Sequence, residues 1–105
     1  MRDFGLPPLP PQPVFDGHND LLAHLWNAGD RDGRAFFDGR DGAVDLAKCR
    51  GGGFAGGLFA IWVPGGGGRG MRPRAPAAAR RATFAMAETL RRMAARDPAV
   101  LRLCL

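Results

Sequence analysis

Glutamate, histidine and cysteine are scarce in this 105-residue chain. There is one glutamate, Glu88, and there are two histidines, His18 and His24. No segment after residue 24 brings further histidines, so the chain is not expected to complete a zinc centre by itself. Cys49 and Cys104 have no motif spacing, and two such cysteines make no disulfide framework. They read as reduced, buried thiols. No run approaches the roughly 20 apolar residues of a membrane span. The start, Met1-Arg2-Asp3-Phe4-Gly5-Leu6, lacks the apolar stretch of about 7–15 residues that a secretory signal needs. A cytoplasmic location is the expectation. Lysine is almost absent, yet 15 basic residues face 10 acidic ones, for a net charge of +5. Such a balance raises nucleic acid as a partner. The net charge of a short segment depends on which part of a larger fold it represents, and no nucleic-acid partner is expected.

Proline and glycine, by contrast, punctuate the chain. Residues 1–12 form a Pro-rich arm, expected to run as extended polyproline-like chain. Residues 13–19 read as a first strand. Leu21, Leu22, Leu25 and Trp26 then fall at helical spacing within 21–28. Asp20 is placed to cap that helix. Residues 29–43 read as a polar loop, without the oxygen-ligand spacing of a calcium site. Val44–Arg50 reads as a helical turn started by Asp45 or the loop before it. Gly51–Gly57 reads as a hinge into a second strand over 58–63, apolar on both faces as buried parallel strands are. Gly65–Pro76 is a basic, Gly-rich loop carrying Arg69, Arg72 and Arg74. A helix follows over 77–96, with Thr83, Met86, Ala87, Leu90, Met93 and Ala94 on one side. Glu88 precedes Arg92 by four, the order that stabilises a helix surface, so it reads as an ion-pair residue. Asp97-Pro98 stops the helix, and Val100–Leu105 reads as the start of a third strand.

The chemistry concentrates in Val14-Phe15-Asp16-Gly17-His18-Asn19-Asp20-Leu21. Alternate side chains of a strand project to the same side. His18 and Asp20 therefore present an imidazole beside a carboxylate, a two-ligand fragment of a site for zinc or a similar divalent ion. Asp16 shares their parity and is a candidate to orient His18 from behind. His24 reads as an ordinary, partly exposed histidine.

This stretch resembles the N-terminal signature of the membrane (renal-type) dipeptidases, the zinc peptidases of family M19. Val44-Asp45-Leu46 and Gly51–Pro64 agree in order and distance with a second family segment, which leads through a Gly-rich turn into a strand. Ala47, Cys49, Leu58 and Ala60 depart from the usual family residues there. The resemblance implies an α/β fold, the N-terminal part of a (β/α)₈ TIM-type metallohydrolase barrel. Such a barrel needs about 250 residues. Residues 13–105 would then supply about two βα units and the start of a third strand. It further implies two zinc ions held by the His18-x-Asp20 pair, a bridging glutamate and two further histidines, with a dipeptide as substrate. The last three ligands are not in this chain, which would be inactive alone.

Two other readings stand beside metallodipeptidase activity. One is a small basic protein that binds RNA or a partner domain through the Pro-rich arm and the Arg69–Arg74 loop. The other keeps the barrel class but hydrolyses a different amide or an ester.

Overall fold

The computed structural model describes residues 5, 7, 12–65 and 75–104. Along the chain these form β1 (Val14–Asn19), α1 (Leu21–Asn27), α2 (Arg34–Asp38), α3 (Leu46–Gly51), β2 (Phe54–Phe59) and α4 (Pro76–Arg96). The two strands pair in parallel, with Val14 opposite Phe54 and Asn19 opposite Phe59. Parallel neighbours need a crossover connection, and α1, α2 and α3 provide it.

β2 begins four residues before the expected strand and takes in Gly56 and Gly57. Close approach of β1 explains why glycines stand there. A Cβ on Gly57 would lie 3.2 Å from the Cβ of Asp16 and 2.7 Å from the Phe54 ring. One on Gly56 would meet the Phe15 ring at 3.3 Å. The glycines act as strand residues that let two strands come together, not as a hinge.

Helices, not the sheet, make the core. Leu21, Leu22 and Leu25 of α1 are buried against Met86 and Met93 of α4, with Phe36 of α2 closing the cluster. The α4 face is Ala82, Met86, Thr89 and Met93, a slight rotation from the face read in the sequence, and Ala87 is exposed. Apolar side chains of the sheet region stay largely in water. Phe15, Leu58 and Trp62 are each more than half exposed. The expected burial of the second strand on both faces is therefore not met.

The barrel expectation is corrected by this architecture. Among the described residues there are two strands, each other's partners, and four helices in a small compact domain. The described residues show no TIM-type barrel fragment. The third strand does not form either. The N–H groups of Val100 and Leu101 both donate to the carbonyl of Asp97, at 3.0 and 3.1 Å. The chain turns there, and residues 101–104 carry no regular structure. Val100 and Leu101 pack against the core, so their apolarity serves side-chain burial instead of strand pairing. The Pro-rich arm lies mostly outside the described residues, and Arg69, Arg72 and Arg74 lie outside them entirely.

Two polar devices hold the crossover. Asp30 caps α2, its carboxylate oxygens accepting from the N–H groups of Arg34 (3.0 Å) and Ala35 (2.9 Å). Asp45, 3% exposed, caps α3 by accepting from the Lys48 N–H at 2.9 Å. Its other oxygen accepts from the Arg40 N–H at 3.2 Å and pairs with the Lys48 ammonium at 3.0 Å. That ammonium also donates to the carbonyls of Arg40 and Gly42, both at 2.7 Å. One buried carboxylate and one lysine thus tie the 40–45 loop to α3. The N–H bond from Lys48, then its ammonium, hold the Asp45 carboxyl at about 2, against an ordinary 3.8.

Two outcomes are expected. A carboxylate held below its ordinary range stabilises the fold above about pH 4, and that share is lost as pH falls toward 2. Glu88 is also held at about 2, chiefly by Arg91, but that pair is exposed and contributes little. Urea midpoints measured from pH 5 to 2 should fall, and Asp45→Asn should both lower and flatten the curve. Gly33 has φ +68°, and a Cβ there would collide with Cγ and Sδ of Met93, which is fully buried. Gly33→Ala should cost about 1–3 kcal/mol, read from the same denaturation.

Candidate metal half-site

β1 ends at Asn19, and the candidate ligands sit on either side of it. His18 Nε2 and Asp20 Oδ1 are 3.1 Å apart. The two side chains therefore face each other, as their two-residue spacing predicts. Both are open to solvent, with side chains 66% and 48% exposed.

Asn19 makes this geometry. Its side chain points inward, where the residue is 8% exposed. Oδ1 accepts from the Leu21 N–H at 3.2 Å, and Nδ2 donates to Asp16 Oδ2 at 3.0 Å. The amide thus joins the strand end to the first turn of α1. Asn19 does the capping expected of Asp20, whose side chain makes no cap bond. Asp20 is free of that duty and meets His18 instead. Sequence reading missed Asn19. Its signal was available, since asparagine is among the preferred residues at helix starts.

Asp16 behaves differently from the expectation. Its Oδ1 accepts from the backbone N–H of His18 at 3.1 Å. It holds the His18 main chain, while the imidazole turns to Asp20. His24 lies exposed on α1, its N–H on the Asp20 carbonyl at 3.2 Å. Among the described residues, no three histidine, cysteine, aspartate or glutamate side chains gather as a metal site. Glu88 is engaged elsewhere, with Arg91 at 2.7 Å and Arg92 at 3.3 Å. Cys104 is exposed and Cys49 half-buried, so the expectation of two buried thiols is corrected. Burial pushes the Cys49 thiol upward, with Asp45 and Asp16 adding to the shift.

The pair fits a divalent ion in one measurable respect. Tetrahedral zinc at about 2.0–2.2 Å from nitrogen and oxygen places two donors about 3.3–3.5 Å apart. The observed 3.1 Å is reached from there by a few tenths of an ångström, within the freedom of exposed side chains. Among the described residues two such donors converge, against the four ligands that zinc usually takes.

Comparisons with known proteins add little to the geometry. No family model matches the chain, and no solved structure matches it significantly. Over 54 residues, half of this chain, it is 50% identical to a protein of Acinetobacter calcoaceticus described as an uncharacterized protein in the PQQ-III 3' region. The matched part is 17% of that protein's length, so the chain spans a small share of this relative. No helix among the described residues is long and apolar enough to cross a membrane.

The two kinds of residue should separate in stability. Asn19→Ala strands the Asp16 oxygen and the Leu21 N–H, and should cost about 1–2 kcal/mol. His18→Ala removes an exposed partner and should stay within about 0.5 kcal/mol of the parent. Paired urea melts of the two variants read this difference directly.

Proposed function

We infer that this chain serves zinc-dependent hydrolysis of dipeptides, with His18 and Asp20 as two ligands of the metal. The observation that supports this reading is the 3.1 Å convergence of His18 Nε2 and Asp20 Oδ1 at an exposed strand end. The choice of a dipeptide rests on the likeness of Val14–Leu21 to the membrane dipeptidases. A lone His-x-Asp is common by chance. One whose two heads meet in space, with its backbone fixed by Asp16 and Asn19, is a better ligand pair.

In this reading each residue has a distinct duty. His18 offers a ring nitrogen and Asp20 a carboxylate oxygen to the same ion. Asp16 positions the His18 backbone. Asn19 keeps Asp20 off the helix cap, so that its carboxylate is available. Zinc bound there would polarise the peptide carbonyl and lower the pKa of its water toward neutrality. The remaining ligands and the substrate pocket come from outside the described residues.

The test is dipeptide hydrolysis by the natural polypeptide that carries residues 14–21, read as release of free amino acids with zinc added. His18→Ala and Asp20→Asn should each lower turnover by more than about 100-fold. Asp16→Ala, which acts through His18, should lower it about 10-fold. Full turnover by His18→Ala would remove the imidazole from the reaction. Ester turnover without dipeptide turnover would replace the substrate class and keep the metal pair.

A further inference from the structure

We propose that the groove shared by β2 and residues 99–104 binds an unbranched apolar carboxylate, a fatty-acid-like molecule whose acid head meets Arg50 and Arg102. Neither His18 nor Asp20 lines this groove, so the proposal stands apart from the metal reading. The cavity measures about 540 Å³, within the range of roughly 300–1,000 Å³ that small-molecule sites occupy. All six residues of β2 line it, together with residues 99–104. A strand of that length runs to roughly 17–20 Å, so the site is elongated and suits a linear chain. Its lining is mostly apolar. Phe36 is buried and Leu46 and Leu90 are half-buried, while Phe15 and Leu58 stand largely in water. Gly56 and Gly57 line it with backbone alone, which leaves the space open.

Charge selects the head group. Arg50 and Arg102 line the groove, and no aspartate or glutamate does. Neither guanidinium has an ion-pair partner among the described residues, whereas Arg91, Arg92 and Arg96 of α4 each face a carboxylate. A guanidinium presents a planar fork of donors that matches a carboxylate. The apolar lining in turn asks for a hydrocarbon body, which gains by leaving water. A sugar would strand its hydroxyl groups against phenylalanine and leucine. An aliphatic ammonium would meet two like charges. A second copy of the chain carries the same net charge of +5, which disfavours it as the occupant and favours an anion.

Calorimetric titration of the purified chain with decanoate, kept below its micelle concentration and with no metal added, tests the proposal. One decanoate should bind per chain. Decanol, which has the same body and no charge, should bind several-fold more weakly, and decylammonium more weakly still. Arg50→Gln and Arg102→Gln should each weaken decanoate several-fold and leave decanol unchanged. Leu58→Ser, at an exposed position, should weaken both. Cys49 and Cys104 line the same groove, so bound decanoate should slow their alkylation. Far-ultraviolet circular dichroism of each variant separates loss of the site from loss of fold. Equal affinity for decanoate and decanol would remove the arginines from recognition and overturn the proposal. Uptake of many decanoates per chain, unchanged in both arginine variants, would mean adsorption and overturn it too. A dimer in sedimentation whose thiols are shielded before any ligand is added would give the groove to a second copy instead. Absence of decanoate binding would overturn this inference and leave the metal reading untouched.

Discussion

The side-chain amide of Asn19 decides how the first strand meets the first helix. One end of it accepts from the Leu21 N–H and the other donates to Asp16. A buried amide with either bond missing would carry the full cost of its lost hydration. The turn between β1 and α1 is therefore held in one conformation. That conformation sends Leu21, Leu22 and Leu25 into the core and leaves His18 and Asp20 in water. Packing and candidate chemistry share a single constraint, applied from opposite sides of the backbone.

The rest of the domain is arranged around what α1 buries. Met86 and Met93 reach it from α4, and Phe36 fills the remaining side. Methionine suits such a junction, because its unbranched chain adapts to an irregular gap. Gly33 allows the loop to pass directly over Met93. In the crossover, Asp45 and Lys48 perform a similar service for α3. The small β1–β2 ribbon gains stability from these helices, since two strands alone are marginal in water.

Legibility in the sequence followed the range of each interaction. The long helix was legible because 21 residues repeat the 3.6-residue period several times. The start of α3 was legible to within Asp45 or the loop before it, because capping is local, and the structure places the cap on Asp45. The facing of His18 and Asp20 was also local, a matter of strand parity. Helix α2 was hidden inside a run of aspartates and glycines, and only the burial of Phe36 reveals it. The start of β2 was misjudged because glycine signals a turn in sequence and close strand approach in space. Val100–Leu105 has the composition of a strand, but a strand needs a neighbour, and composition does not report one. The barrel expectation failed on the same ground, resting on pairings that the local sequence does not contain.

The His18–Asp20 contact carries one more consequence. The two groups already satisfy each other across 3.1 Å, so an incoming cation meets an occupied pair of hands. It must first part them, and that internal competition subtracts from whatever grip the ion could obtain on open side chains. Ionic strength, which screens exposed charges, would then tune how firmly the two groups hold each other.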